Sequence, residues 1–209
     1  MRKLADRRWR DKLGLFVAEG EDLVEAARGA GIQPVELLVA GENVEAALLG
    51  EVSALAHPPR VIGVYRRDDL PRGERDVTLA LWHVADPGNV GTLLRTADAF
   101  GASIALSHGC ADPTGPKAVR ASMGSIFRTP LTEFKLDERS VALVSHGGTA
   151  LVDAQLASPV TFVLGAEREG LPAEILAACG DRVTIPLADG AESLNVATAG
   201  AIALYQTRR

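Results

Sequence analysis

Five polar residues, Asn89, Arg95, Glu167, Ser193 and Asn195, stand in three short motifs along the second half of this chain. The motifs are NVGTLLRTADAFGA (89–102), LGAEREG (164–170) and IPLADGAESLNVATAGAIALY (185–205). Each sets glycines or small polar residues where an apolar strand gives way to a turn or a helix, which is where open α/β sheets bind ligands. An arginine is in effect always protonated, so Arg95 suits holding an anion or a hydroxyl better than taking up a proton. Asn89, Ser193 and Asn195 stand where a side chain either caps the following helix or faces a ligand. Glu167, bracketed by Gly165 and Gly170, either pairs with Arg95 or Asn89 or is a solvated loop acid, in a turn that lets backbone come close to a ligand.

Several other chemistries lack their signatures. There is no G-x-G-x-x-G fingerprint, and GCADPTGPK (109–117) has the wrong spacing and ending for a phosphate-binding loop. No G-x-S-x-G hydrolase elbow occurs. His57, His83, His108 and His146 show no metal-like clustering, and Cys110 and Cys179 make neither a metal spacing nor a disulfide framework. These six read as structural or surface residues, and no metal is expected.

The elements that must position the five residues follow from local pattern. VTLALWHVA (77–85) is a strand-length apolar run, which Asp86, Pro87, Gly88 and Asn89 break before a helix begins. That helix sets Leu93, Leu94 and Ala97 on one face, so Arg95 points elsewhere. TFVLG (161–165) and RVTIPL (182–187) are two more strands, and LNVATAGAIALYQ is a helix whose small residues suit close packing on a sheet or another subunit. Further strands are expected near 103–107 and 149–153, with helices near 116–126, 138–146 and 172–178. This alternation implies a mostly parallel sheet covered on both faces. Ahead of it, FVAEG, VELLVA, VSALA and VIGVY alternate with helices in a smaller α/β or α+β unit. The charged, proline-containing stretch Arg66 to Arg75 links the two, giving domains at 1–70 and 76–209.

In their order and residues, the three motifs resemble those of the SPOUT superfamily, and more closely its SpoU/TrmH branch of RNA ribose 2′-O-methyltransferases. That branch carries Asn-Val-Gly with Arg-Thr-Ala and Phe-Gly, then Gly-x-Glu-x-x-Gly, then Ile-Pro with Ser-Leu-Asn. The resemblance covers 77–209 and extends to GLFVAEGEDLVEAARGAG (14–31), which is similar to the start of a substrate-binding domain. It implies a trefoil-knotted α/β methyltransferase domain that binds S-adenosylmethionine in the knot, largely through backbone. The matching positions are Leu164, Gly165, Ile185, Pro186 and Leu194. It also implies that Arg95 meets the ribose 2′-hydroxyl, with Asn89, Glu167, Ser193 and Asn195 completing the site, and that two subunits form a homodimer. Arg120, Ser122 and Arg128, around ASMGSIFR, resemble a family segment that meets RNA phosphate. The alternative is a non-catalytic RNA-binding relative that keeps the fold. Base methylation fits Ser-Leu-Asn less well, and ribosomal RNA is favoured over transfer RNA.

Composition agrees with an RNA enzyme only through its distribution. The 209 residues are 47% hydrophobic, ample for a core, while 22 Lys and Arg against 27 Asp and Glu leave a net −5. Residues 1–12 run the other way, with Arg2, Lys3, Arg7, Arg8, Arg10 and Lys12 against Asp6 and Asp11, a local +4. Such a basic segment either contacts phosphates, through Arg7, Arg8 and Arg10 above all, or is a solvated terminus. Trp9 beside it either stacks on a base or anchors the segment on the core. No apolar run approaches the roughly 20 residues that span a bilayer. The basic start lacks the apolar stretch of a signal peptide, so a cytoplasmic location is expected.

Overall fold

The computed structural model describes residues 1–53, 55, 57–166 and 169–208. A 3₁₀ turn (Arg2–Ala5) leads into α1 (Arg7–Leu13), which Asp6 caps by accepting the Arg8 N–H at 2.9 Å. Gly14, at φ 65°, ends α1 in the left-handed region. There follow β1 (Leu15–Glu19), α2 (Glu21–Gly29), β2 (Glu36–Val39), α3 (Ala46–Val52) and β3 (Val61–Arg66). β3 lies between β1 and β2 and is antiparallel to both. The strand expected at VSALA differs at its first residue, because Val52 closes α3; residues 54 and 56 lie outside the described ones.

The second part runs β4 (Val77–Leu81), α4 (Pro87–Phe100), β5 (Ser103–Leu106), α5 (Pro116–Ala121), β6 (Leu131–Thr132) and β7 (Ser140–Val144). It continues through β8 (Thr149–Ala150), β9 (Val160–Leu164), α6 (Ala173–Ala177), β10 (Asp181–Thr184) and α7 (Val196–Gln206). Its strands form one sheet in the order β6-β5-β4-β9-β7-β10-β8, with every pairing parallel. Strands covered on both faces need continuous apolar runs, and Leu79–Leu81 and Phe162–Leu164 are accordingly buried.

One expected element is wrong in kind. The segment read as a helix near 138–146 is the strand β7, lodged between β9 and β10. Asp137 and Ser140 close a turn just before it, the Ser140 N–H donating to the Asp137 carbonyl at 2.9 Å. Gly147 and Gly148 follow it closely, so the apolar run has strand length rather than helix length. The helix expected over 116–126 also stops early: Met123 (φ 50°) and Gly124 (φ 84°) turn left-handed, and a 3₁₀ turn (Ser125–Phe127) takes over.

Two glycines let the helices that carry the motifs approach their neighbours. A Cβ on Gly91 of α4 would fall 2.5 Å from the Ala118 carbonyl of α5, and one on Gly200 of α7 would fall 2.6 Å from Leu93 of α4. The small residues of α7 therefore serve close packing on α4.

The two parts share a core. Phe16 of β1, Tyr65 of β3 and Phe127 form a triangle with ring centroids 5.0 to 5.9 Å apart. Among the described residues, the Tyr65 hydroxyl is the one buried side-chain polar atom without a hydrogen-bond partner, and burial pushes its pKa up to about 12. Tyr65→Phe removes that unmet group and leaves the ring packing, so it is expected to stabilise the protein by about 1 kcal/mol. A thermal melt showing a lower midpoint would contradict this.

A buried ion pair ties the parts together a second time. Arg10, expected to meet RNA phosphate, is only 4% exposed and turns inward to Asp112 at 2.8 Å, while its Nη1 donates to the Leu4 and Ala5 carbonyls. A guanidinium with these partners has no face left for phosphate, so the expectation for Arg10 is corrected. Asp112 also accepts from the Thr114 N–H and hydroxyl at 2.9 and 2.7 Å, and from Arg67 at 3.3 Å. Burial pushes its carboxyl up, but the hydrogen bonds from Thr114 and Arg10 and the charge of Arg67 outweigh that and hold it below its ordinary 3.8. A depressed native pKa contributes stability that is present above the unfolded value and lost as pH falls through the native one. Asp112→Asn is therefore expected to cost about 3 kcal/mol at neutral pH. In denaturant titrations that gap should close below pH 3.8. A gap that is constant with pH would show that charge is not its source.

Candidate active site

The site forms at the carboxyl ends of the parallel strands, where three loops face one cleft of about 650 Å³. Four of the five residues expected at a cofactor, Leu164, Gly165, Ile185 and Leu194, line it, and Ser193 joins them. Pro186 lies between the lining residues Ile185 and Leu187 without lining the cleft itself. Sequence reasoning missed Leu143, Ser145 and His146, which reach the cleft from the end of β7. Their signal was hidden by reading that segment as a helix. A larger cavity of about 950 Å³ opens at the amino ends of β4 and β9, but Asn89, Arg95, Ser193 and Asn195 do not line it.

The second motif is shaped by backbone proximity. Gly165 follows β9, and a Cβ there would fall 2.5 Å from the Gly170 carbonyl oxygen and 2.8 Å from the Leu171 nitrogen. The Gly170 N–H donates to the Ala166 carbonyl at 3.0 Å, and Gly170 takes φ 67°. Only glycine at 165 admits this close return of the chain. Glu167, expected to act in the site, lies outside the described residues.

The first and third motifs meet through two amides. Asp86, not Asn89, caps α4: its carboxylate accepts the Asn89 N–H at 3.0 Å, and Pro87 takes the first helical position. The Asp86 carboxyl is held below its ordinary value, first by the Lys117 ammonium at 3.0 Å and then by the Asn89 N–H. Asn89 lies inside the first turn, where its Oδ1 accepts from Nδ2 of Asn195 at 3.1 Å. The other end of the same Asn195 side chain caps α7, accepting the Ala197 and Thr198 N–H groups at 2.9 and 3.3 Å. Capping and site roles thus coexist in Asn195, whereas Ser193 takes no capping part.

Arg95 stands on the exposed stripe of α4 with Thr92 and Ala99, opposite the buried Val90, Leu93, Leu94 and Ala97. Among the described residues its side chain makes no ion pair or hydrogen bond. A guanidinium so placed is available to an incoming anion or hydroxyl.

The remaining expected RNA contacts divide. Arg7 and Arg8 are exposed on α1, with Arg7 also donating to the Cys110 carbonyl at 3.3 Å. Trp9, between them and Arg10, is flanked by the ammonium groups of Lys3 and Lys12 at 4.5 and 5.1 Å from its ring. Arg120 is half-buried in the last turn of α5. Arg128 is exposed but paired to Asp98 at 2.7 Å. Ser122 is buried and donates to the Val119 carbonyl, so its side chain does not face RNA. Among the described residues there is no cluster of three or more potential metal ligands, and no helix is long and apolar enough to cross a membrane.

Known proteins share this arrangement along the whole chain. The SpoU rRNA methylase family matches residues 76–205, and the MRM3-like substrate binding domain matches residues 1–67. A 23S rRNA (guanosine(2553)-2′-O)-methyltransferase of Bacillus subtilis is 33% identical, over 99% of this chain and 94% of its own. An AdoMet-bound rRNA methyltransferase from Sinorhizobium meliloti superposes with a TM-score of 0.86 at 30% identity, covering 99% of this chain and 92% of that one. The SpoU methyltransferase AviRb from Streptomyces viridochromogenes, in complex with AdoMet, gives 0.86 at 26% identity, covering 98% and 94%.

Proposed function

The chain belongs to the SpoU rRNA methylase family, and from that premise we propose that it methylates ribosomal RNA with Asn89, Arg95, Glu167, Ser193 and Asn195 as its reacting site. It is an S-adenosylmethionine-dependent RNA ribose 2′-O-methyltransferase. The non-catalytic alternative has no support among relatives that are named as methyltransferases. The single observation that carries the site assignment is the Asn195–Asn89 bond, which joins the helix after the cofactor cleft to the helix that bears Arg95.

The cleft fits the cofactor by its chemistry. Its lining is apolar at Leu164, Ile185 and Leu194, has backbone laid open at Gly165, and includes Glu169 and Glu192, which suit a ligand carrying sulfonium and ammonium charges. When bound, S-adenosylmethionine supplies an activated methyl group. The chain's own work is to bring a ribose hydroxyl into line and to hold the charge that grows on its oxygen. Arg95 donates to that oxygen and to a neighbouring phosphate, which lowers the energy of the developing alkoxide while the hydroxyl proton passes to solvent water rather than to the guanidinium. Asn195 fixes Asn89 while capping α7, so the two helices present their groups as one unit. Glu167 orients Arg95 or Asn89 in this reading, and Ser193 borders the target nucleotide.

Phosphate contacts fall to Arg7 and Arg8 on α1 and to Arg120 and Arg128. Two copies work in the cytoplasm as a homodimer, and the pairing is supported by Ile202 and Tyr205, 37% and 55% exposed on the outer face of α7. The chain returns from β10, beyond β7, to place α7 against α4, a path compatible with the trefoil knot that we infer. Methyl transfer to purified ribosomal and transfer RNA, with sedimentation of the protein alone, tests these readings. Label in ribosomal RNA and a dimeric mass are expected. Label confined to transfer RNA would reverse the substrate assignment, and a monomeric mass the assembly.

A further inference from the structure

The reaction makes no direct use of Asp112 and Arg10, the most buried ion pair among the described residues. Asp112 lies in the loop between β5 and α5, and its side chain and that of Arg10 are each 5% exposed. The loop it anchors is bonded onward to the loop that leads into α4: the Ala111 N–H donates to the Val84 carbonyl at 2.9 Å, and the His83 N–H donates to the Ser107 hydroxyl at 3.0 Å. Val84 stands just before Asp86, the cap of the helix that carries Asn89 and Arg95. On the other side, Arg10 belongs to α1, whose outer face carries Arg7, Arg8 and Lys12. Arg67, just after β3, reaches both Asp112 and Asp11 of α1. Three segments far apart in sequence therefore converge on one carboxylate.

We propose that Asp112 is a positioning residue for RNA: by holding Arg10 it fixes the basic face of α1 in register with the loop that presents Asn89 and Arg95, so that phosphates bound by Arg7 and Arg8 place the target ribose. This rests on the reading of the chain as an RNA methyltransferase. A surface helix held only by its apolar face would have rotational and sliding freedom. A buried ion pair removes it, because a charged group left without its partner in that position is strongly unfavourable. Orientation thus comes from a charge that contacts neither RNA nor cofactor.

The test uses the full chain and purified ribosomal RNA. Asp112→Asn is expected to raise KM for RNA about tenfold and to flatten the salt dependence of RNA affinity by about 0.7 for each phosphate that the basic face no longer neutralises. Its affinity for S-adenosylmethionine, measured by calorimetry, should stay within about twofold of wild type, since the two sites share no group. The decisive comparison is a cycle: replacing Arg7 and Arg8 by alanine should weaken RNA binding strongly in the wild type and little in Asp112→Asn. Should Asp112→Asn fail to fold, Arg10→Gln, which leaves Asp112 held by Arg67 and Thr114, gives the same readings. Equal effects of the two arginines in both backgrounds, with an unchanged salt slope and only a lower melting temperature, would overturn the proposal and leave the pair a purely structural tie. Absence of methyl transfer by the wild type itself would instead count against the enzyme reading on which it rests.

Discussion

Arg95→Ala is expected to lower the single-turnover rate of methyl transfer about 10²–10³-fold, the loss typical of one donor aimed at a developing oxyanion. Fold and cofactor binding should survive. Arg95 is exposed and makes no ion pair or hydrogen bond among the described residues, so its removal strands no partner among them. It lies in the interior of α4, where alanine is the better helix former. Arg95→Lys keeps the charge but loses the planar fork that can hold an oxygen and a phosphate together, and an intermediate rate is expected. If Arg95→Ala transferred methyl at more than about a third of the wild-type rate, far above the loss expected for such a donor, the residue would have no place at the reacting oxygen.

The second large effect is expected at Gly165→Ala. The added Cβ would meet the Gly170 carbonyl oxygen at 2.5 Å and the Leu171 nitrogen at 2.8 Å, and both are backbone atoms that no side-chain rotation can move aside. The chain after β9 must then shift, and it carries Gly165, Ala166, Glu169 and Gly170 at the cleft wall. Overpacking of this kind costs about 1–3 kcal/mol, which converts to roughly a 5- to 150-fold weaker Kd for S-adenosylmethionine if the strain falls on the bound form. Calorimetry reads the change directly. An unaltered Kd would mean that the close return of the chain has no bearing on cofactor binding.

How far the site could be read from residue order depends on the range of the interactions involved. β4, α4, β9 and α7 were legible because each couples an apolar run to a local stop or start signal, such as Asp86-Pro87-Gly88 before α4. The strand β7 was not, since a short apolar run between turns has no period that separates a strand from a helix segment. Ser145 and His146 went unseen with it, because they reach the cleft only through the place of β7 beside β9. Arg10 looked like its neighbours Arg7 and Arg8 because charge in a basic segment does not say which side chain turns inward. Its partner lies 102 residues away. The Asn89–Asn195 bond spans 106 residues and is equally invisible to local pattern. Spacing placed both amides near helix starts and left Asn89 open between cap and ligand contact; the cap of α4 is Asp86, three positions earlier, which has the reach to the Asn89 N–H.

That this chain transfers methyl to a ribose hydroxyl is tested most directly by the identity of the methylated nucleoside. Ribosomal RNA incubated with the protein and methyl-labelled S-adenosylmethionine would be digested to nucleosides, separated by chromatography and identified by the mass of the base fragment, which tells a methyl on the ribose from one on the base. Label is predicted in a 2′-O-methyl nucleoside, formed by wild type and about 10²–10³-fold more slowly by Arg95→Ala. Label on a base, or no label in any RNA by a protein that binds the cofactor, would contradict the assignment.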